Sequence, residues 1–395
     1  MQEHLVLYRK YRPRGFNEIV GQESVVRTLS NAIASGRLAH AYLFSGPRGV
    51  GKTTIARLIA KAANCANAAK LSSGKLDGAL LAHRNTDEGG STRRSFSEGG
   101  LSVPCNTCPS CLLYNDGTAL DLIEIDAASN RGIDEIRELR ENLRYASSSG
   151  GKKTYIIDEV HMLTAPAFNA LLKTLEEPPA HVIFVLATTE IHKVPATIIS
   201  RTQHFEFRRP SVSAIAERLI KISTAERVKL DPAAARVIAL AGEGSLRDAE
   251  SILGQIMAVE DSRITEVEVE ETLGLPRREA VMRFYQALVK KETAPALAVI
   301  EKIVDDGHDP EQFLRSAIRL SRNAIFLKLD PTLAASVSEE LLPEETKELE
   351  TLLQPVEASH LTRILSRLTA ASDQIRISPL PELPLELAAL EITKL

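Results

Sequence analysis

Residues 46–53 read Gly-Pro-Arg-Gly-Val-Gly-Lys-Thr, which fits the pattern G-x-x-x-x-G-K-S/T. In this pattern glycines let backbone N–H groups face a chain of phosphates. An apolar run, residues 41–44, precedes the octapeptide, and residues 53–63 continue with helical spacing. A loop between a strand and a helix N-terminus combines open amides with the positive end of the helix dipole. The segment therefore predicts a phosphate-binding loop rather than a chance glycine-rich turn.

The loop assigns a role to each of its residues. Lys52 is expected to reach the β- and γ-phosphates of ATP, and the hydroxyl of Thr53 to hold Mg²⁺. The predicted nucleotide-binding residues of the loop are Gly46, Gly49, Val50, Gly51, Lys52, Thr53 and Thr54.

Composition restricts the class of protein. A chain of 395 residues predicts two or three domains. Its 44% apolar and 25% charged residues are ordinary for a globular protein, and a net charge of −4 argues against coating nucleic acid by bulk charge. No segment approaches 18 uncharged apolar residues, and the N-terminus lacks a long apolar stretch. We therefore expect a cytoplasmic protein without membrane partners.

Three further apolar runs organise the first part of the chain. They are residues 122–125, 154–157 and 182–186, and helical stretches separate them. Short β-branched runs of this kind predict a parallel sheet covered by helices on both faces. Residues 66–104, by contrast, are rich in serine and glycine, and we interpret them as a flexible insertion.

After Pro210 the sequence predicts helices only, short in 211–275 and longer from about 277. The predicted domains are an α/β domain at 1–209, a small helical domain at 210–275 and an all-α domain at 276–395.

Asp158 and Glu159 directly follow the run 154–157. A carboxylate at a strand end binds Mg²⁺ together with the loop threonine, and the next one is placed to orient or deprotonate the attacking water. An acidic pair at a strand end is by itself usually just solvated. Behind a complete phosphate loop the catalytic interpretation is favoured.

Three other segments contain candidate site residues, and the first two segments have a second interpretation. Thr188 and Thr189 end the run that begins at 182, so that one hydroxyl contacts the γ-phosphate or the water, or both simply form a turn. Arg201, expected on a helical segment beyond the last strand, either completes a neighbouring subunit's site or is a surface arginine. Arg247 opens a helix and is a candidate to fold over the phosphates.

All four cysteines belong to one pattern: Cys65, then Cys105, Cys108 and Cys111 in a C-x2-C-x2-C run. Clustered cysteines in a reducing compartment indicate a metal rather than disulfides. Four thiolates suit a closed, structural Zn²⁺ site, while an iron–sulfur cluster or loss of the metal are the alternatives.

A family resemblance rests on several segments together. They are Tyr11-Arg12-Pro13, Val20-Gly21-Gln22-Glu23, the loop 46–53, residues 157–162, residues 169–179, Ser200-Arg201 and Gly244-Ser245-Leu246-Arg247-Asp248. With the cysteines, this set resembles the AAA+ clamp-loader ATPases, in particular the gamma/tau family of bacterial DNA polymerase III. The resemblance implies a five-stranded parallel sheet with a zinc knuckle at 105–111, a helical lid domain and an oligomerising collar domain.

The same resemblance implies roles for individual residues. Tyr8, Arg12, Pro13 and Val20 would line the adenine pocket. Thr189 matches the sensor-1 position, Arg201 the arginine finger acting in trans, and Arg247 sensor 2. Family members usually have cysteine after the finger arginine, where this chain has Thr202.

The activity implied is ATP hydrolysis that drives opening and loading of a sliding clamp onto primed DNA. The partners implied are the other subunits of a pentameric loader, the clamp and primer-template DNA. The sequence resembles the short, gamma-like form, so contact with the polymerase core is not expected without a C-terminal extension. An ATP-binding scaffold without turnover and a branch-migration helicase are the alternatives.

Two helix starts are candidates for DNA phosphate contacts. Ser129-Asn130-Arg131-Gly132 precedes one helix, and Thr164 begins the next. Amides at a helix N-terminus bind phosphate without reading sequence, although an ordinary helix cap is an equally good interpretation.

Overall fold

The structure is a computed structural model that describes residues 6–68, 103–148, 150–259, 262–329, 341 and 343–394. The predicted insertion at 66–104 lies mostly outside these described residues. Contacts group the chain into two compact units. Met1–Pro210 with Gly244–Glu250 form one, here called the α/β unit, and Ser211–Glu243 with Ser251–Leu395 form the other, the helical unit.

The α/β unit contains one sheet of five parallel strands, as predicted. The strands are β1 (Ala41–Ser45), β2 (Leu122–Asp126), β3 (Lys153–Asp158), β4 (Val182–Thr188) and β5 (Gln203–Glu206). Their spatial order is β2-β3-β4-β1-β5. In the pairing of β1 with β4, Ala41 lies opposite Phe184 and Ser45 opposite Thr188. The strand that leads into the phosphate loop is thus flanked on both sides.

Helices cover both faces of this sheet, which confirms the expected layering. Successive strand residues point to opposite faces. Accordingly Leu43 and Phe184 belong to one buried apolar cluster, and Phe44 and Val185 to another. The helices are α1 (Leu7–Lys10), α2 (Glu23–Ala34), α3 (Lys52–Ala63), α4 (Pro109–Asp116), α5 (Ile133–Asn142), α6 (Ala165–Glu176) and α7 (Ala196–Ile199).

Strand β5 corrects one expectation. Arg201 was expected beyond the last strand, but β5 follows it directly and pairs with Tyr42 to Ser45 of β1. The strand carries Gln203, His204 and Glu206 and therefore lacks an apolar run. Its residues are exposed except for the half-buried Phe205, so it has no apolar run by which periodicity could find it.

The helical unit is built from longer amphipathic helices. They are α8 (Val212–Ala225), α9 (Pro232–Ala241), α10 (Leu246–Met257, whose first turn belongs to the α/β unit), α11 (Glu266–Thr272), α12 (Arg278–Val289), α13 (Thr293–Asp305), α14 (Pro310–Leu329), α15 (Pro343–Leu353), α16 (Ala358–Ile375) and α17 (Leu383–Lys394). In α16, Leu361, Ile364, Leu368, Ala371 and Ile375 are buried at helical spacing.

Two details qualify the prediction for this unit. Lys229–Leu230 and Arg263–Ile264 form a parallel pair of two-residue strands, so the expectation of helices only after Pro210 is wrong there. Among the described residues, one buried apolar cluster runs from Val281 to Ile392 and includes no residue of 211–275. The separate lid and collar domains stay a prediction, and contacts join most of the predicted lid and the collar into one helical unit.

In the part of the chain that the structure describes, no helix has the length and hydrophobicity required to cross a bilayer.

Candidate active site

The phosphate-binding loop joins β1 to α3 and depends on glycines in the left-handed region. Gly46 has φ 140° and Gly49 has φ 76°. A Cβ at Gly46 would collide with the backbone carbonyl of Phe207, and one at Gly49 with the side chain of Ser245. No other residue type fits these two positions without strain, because the surrounding chain approaches the loop closely.

Lys52 is buried in the loop, only 6% exposed. Its ammonium donates to the carbonyls of Gly46 and Pro47 at 2.6 and 2.8 Å. Burial lowers the pKa of Lys52, and the nearby carboxylates of Glu159 and Asp158 oppose that effect. The cation is thus held inside the loop, where phosphates of a nucleotide would lie.

Thr53 and Asp158 come together although 105 residues separate them. The Thr53 hydroxyl donates to Oδ2 of Asp158 at 2.9 Å. This places one hydroxyl and one carboxylate oxygen side by side beside the loop, and hard oxygen ligands of this kind suit Mg²⁺. The donor set fits the predicted ion.

Glu159 adopts a left-handed backbone conformation, with φ 47° and ψ 45°. Its carboxylate oxygen Oε2 accepts from the Thr189 hydroxyl at 2.9 Å and from the Thr189 amide at 3.2 Å. Non-glycine residues in this region are strained and cluster at functional sites. Of the two candidate hydroxyls, that of Thr189 contacts the acidic pair, whereas Thr188 is fully buried.

Sequence reasoning missed His161. It lies on the 3-10 turn Val160–Met162 directly after the acidic pair, and its side chain is 6% exposed. Its Nδ1 lies 3.0 Å from Oγ1 of Thr188 and 3.3 Å from Oε2 of Glu159. A histidine two residues after Glu159 was visible in the sequence. Helical and strand periodicity predict which side chains share a face, but they make no such prediction for a residue in a short turn.

Arg247 is brought to the predicted adenine pocket. Its guanidinium lies 4.8 Å from the ring centre of Tyr8, a cation–π distance. A hydrogen bond from Arg247, and after it one from Arg9, lowers the pKa of the Tyr8 hydroxyl. The neighbouring Leu246 amide donates to the carbonyl of Gly49 at 3.2 Å, so the start of α10 is fastened to the phosphate loop.

The other predicted pocket residues, Arg12, Pro13 and Val20, are half-buried in the same unit. Gln22 adds a contact that was not predicted. Its amide donates to the carbonyl of Arg208 at 2.6 Å and lies 3.5 Å from that of Val50 in the loop.

Arg201 lies at the opposite end of the strands from the phosphate loop. It precedes β5 and lines a surface depression with His40 and Ala41, where β1 begins, whereas the loop follows the end of β1. Five residues of strand span roughly 15 Å. Nε and Nη2 of Arg201 donate to Oε1 of Glu176 at 3.0 and 2.6 Å. The arginine is therefore remote from the loop of its own chain.

The four cysteines converge. Their Sγ atoms all lie within 4.8 Å of one another, and those of Cys105 and Cys111 are 3.9 Å apart. Tetrahedral Zn²⁺ with bonds of about 2.3 Å separates its sulfurs by about 3.8 Å. The Cys108 amide donates to the sulfur of Cys105, and the Cys111 amide to the sulfur of Cys108, each at 3.4 Å. The donor set fits zinc, and Cys65 just beyond the end of α3 joins it as predicted.

The thiols differ in proton affinity. Burial raises the pKa of Cys65 and of Cys111. Burial also raises that of Cys105, but hydrogen bonds from Thr107 and Cys108 more than offset it and bring its pKa to about 6. A thiol with so low a pKa is largely thiolate at neutral pH, the form that binds metal.

The two helix starts suggested for DNA contact are neighbours. Gly132 precedes α5 and Thr164 precedes α6, and the Thr164 amide donates to the carbonyl of Arg131 at 3.1 Å. Arg131 is exposed. Two helix N-termini and a cation are therefore presented together.

Comparison with known proteins places the chain in a family. The family described as "DNA polymerase III, delta subunit" matches residues 21–82 and 92–211. "DNA polymerase III clamp loader subunit, ATPase lid domain" matches 214–261, and "DNA polymerase III subunits gamma and tau domain III" matches 264–395. DNA polymerase III subunit gamma of Buchnera aphidicola is 37% identical, covering 82% of this chain and 81% of the relative. The chain belongs to the DNA polymerase III gamma/tau family.

Longer relatives match as well. DNA polymerase III subunit tau of Bacillus subtilis is 37% identical over 98% of this chain and 62% of the relative. The tau subunit of Escherichia coli is 39% identical over 82% of this chain and 46% of its own length. The chain thus spans about half to three fifths of these two tau relatives. A solved RuvB Holliday junction branch migration motor of Thermotoga maritima matches with TM-score 0.45 and 19% identity, covering 70% of this chain and 79% of that one.

Proposed function

We propose that this chain is an ATP-hydrolysing subunit of the clamp loader of DNA polymerase III. Membership of the gamma/tau family supports the assignment to the loader. The single observation that supports hydrolysis is the arrangement of Thr53, Asp158, Glu159 and Thr189 beside the phosphate loop. A subunit that only bound ATP would not need a carboxylate held ready for water.

The chemistry follows from the positions of these groups. The amides of 46–53 and the ammonium of Lys52 would bind the phosphates of ATP. Thr53 and Asp158 would hold Mg²⁺, which neutralises phosphate charge when bound. Glu159 would accept a proton from water or orient it toward the γ-phosphate, and Thr189 would keep that carboxylate in place. Tyr8, Arg12, Pro13 and Val20 would surround the adenine, with Arg247 above Tyr8 as a nucleotide sensor.

Arg201 is proposed to act on the site of a neighbouring subunit. Its position at the end of the strands opposite to the phosphate loop supports this role, because the arginine is remote from its own loop. A planar guanidinium suits the charge of a transferring phosphoryl group. The site would therefore be complete only in an assembly, for which we propose a pentameric ring with other loader subunits joined through the collar at 276–395.

Structural zinc is the proposed occupant of the cysteine cluster. The 3.9 Å spacing of two sulfurs and the amides directed at the thiols support it. Zinc would fasten the segment 105–111 to the end of the helix that begins with the phosphate loop. An iron–sulfur cluster is the alternative, and metal analysis separates the two.

Primer-template DNA and the sliding clamp are the proposed partners. The adjacent N-termini of α5 and α6 support phosphate contacts, which would be independent of sequence and sensitive to salt. We propose that ATP binding opens the clamp, and that hydrolysis on primed DNA releases it. Because the chain spans only part of its tau relatives, contact with the polymerase core is not part of this proposal. The proposed compartment is the cytoplasm, where thiols stay reduced.

The deciding experiment measures ATP hydrolysis by the reconstituted loader with and without primed DNA and clamp. Wild type should be stimulated by both, and Lys52→Ala should abolish turnover because the phosphates lose their buried cation. Arg218→Ala, a substitution outside the proposed site, serves as control. A wild-type loader that binds ATP without stimulated turnover would support the scaffold alternative, and hexamers that unwind junctions would support the helicase.

A further inference from the structure

His161 occupies the space between the hydrolytic carboxylate and the end of β4. Its imidazole is almost fully buried, and each ring nitrogen faces polar groups. Nδ1 faces Thr188 and Glu159, and Nε2 lies 3.4 Å from Oε1 of Glu190. A buried ring that hydrogen-bonds Thr188 and has carboxylate oxygens near both nitrogens is a polar contact rather than an apolar filler.

The contacts converge on one oxygen of Glu159. Oε2 accepts hydrogen bonds from the amide and the hydroxyl of Thr189, and it lies 3.3 Å from Nδ1 of His161. No described protein group hydrogen-bonds to the other oxygen, Oε1. Two hydrogen bonds from Thr189, together with the imidazole that packs against Oε2, restrict rotation of the carboxylate.

The local backbone explains why the His161 side chain contacts Glu159, which lies only two residues earlier. Glu159 has φ 47°, and the 3-10 turn Val160–Met162 reverses the chain after β3. The turn presents His161 to the end of β4, where Thr188 also accepts the amide of Glu190 at 3.0 Å. The histidine therefore joins the strained residue after β3 to the residues that end β4.

We propose that His161 is a positioning residue for Glu159 and holds its carboxylate in the orientation that serves water. The proposal rests on the proposed function, since it requires Glu159 to act in hydrolysis. His161 does not itself contact substrate in this scheme. Its effect should therefore fall on the rate of hydrolysis and spare ATP binding.

The test compares three substitutions at this position in the full chain, assembled with its loader partners. His161→Leu removes both nitrogens, His161→Asn keeps a donor near Nδ1, and His161→Gln places one near Nε2. Because Glu159 would lose the polar contact of its carboxylate with Nδ1 at 3.3 Å, we expect about a tenfold lower kcat for the leucine variant. The asparagine variant should stay within about threefold of wild type, the glutamine variant should resemble leucine, and ATP affinity should stay within about twofold.

The matched control is His192→Leu. His192 also lies beside Glu190, at 3.5 Å, but its side chain is 72% exposed and distant in sequence from Glu159. It should keep wild-type kcat. If His161→Leu does not fold, as judged by thermal unfolding, the comparison of asparagine with glutamine still decides the question.

A double-mutant comparison separates this proposal from the proposed function. If His161 acts through Glu159, adding His161→Leu to Glu159→Gln should not lower the residual single-turnover rate further. Equal kcat for wild type and His161→Leu, or equal losses for asparagine and leucine, would overturn the positioning role while Glu159→Gln remains inactive. A Glu159→Gln variant that hydrolyses ATP like wild type would instead overturn the proposed function.

Discussion

Glu270 in the helical unit should make stability depend on pH. It lies on α11, is 7% exposed and lines a cavity of about 310 Å³ with Arg278. Burial, and next the carboxylate of Glu266, raise the pKa of Glu270 to about 7, although a hydrogen bond from the Arg278 amide opposes them. The folded state therefore prefers the neutral acid.

The magnitude follows from the difference between the folded pKa of about 7 and the usual 4.5. That difference corresponds to about 3 kcal/mol, since each pH unit is worth about 1.4 kcal/mol. Because the folded pKa is the higher one, the stabilisation is complete below pH 4.5 and is lost as pH rises through 7. Glu270→Gln should remove this loss and be more stable than wild type by up to about 3 kcal/mol at pH 8, but not at pH 4.5.

The assay is urea unfolding of both proteins between pH 4.5 and 8, followed by circular dichroism. Glu271→Gln is the matched control, because this neighbour carries the same charge but its side chain is 62% exposed. We expect a control effect below about 0.5 kcal/mol at every pH. The reasoning is refuted if Glu270→Gln and wild type keep a constant difference in free energy of unfolding across this range, or if the variant is less stable at pH 8.

Three further predictions concern the α/β unit. Gly49→Ala should weaken ATP binding at least tenfold in a fluorescent-nucleotide titration, since its Cβ would meet Ser245 at a positive φ; unchanged affinity would contradict the close approach. Thr189→Val should lower kcat about tenfold without changing ATP affinity, whereas Thr189→Ser keeps the hydroxyl on Glu159 and most of the rate. Cys108→Ser should reduce bound zinc below one per chain in elemental analysis and lower the unfolding temperature of the unit; full zinc occupancy in the variant would argue against this ligand.

Much of the site was predictable because its parts are local. The loop 46–53, the acidic pair and the cysteine run each lie within a few residues, and such patterns specify a backbone shape or a ligand set directly. Four strands were predictable for a similar reason, since each contains a short apolar run. Strand β5 was not, because an edge strand with Gln203, His204 and Glu206 leaves no such pattern.

The sequence by itself determined a parallel sheet with helices on both faces, and it predicted a phosphate-binding loop and a cysteine set for a metal. These three features depend on residue types a few positions apart, because such residues set the local backbone shape and place ligands side by side. The family resemblance already implied roles for Thr189 and Arg201. Only the tertiary structure showed that the Thr189 hydroxyl contacts Glu159, that His161 lies beside the same carboxylate, and that Arg201 lies far from its own loop. The two contacts to Glu159 join residues 30 and 2 positions apart, and the pairing of β3 with β4 and the turn after β3 place them together.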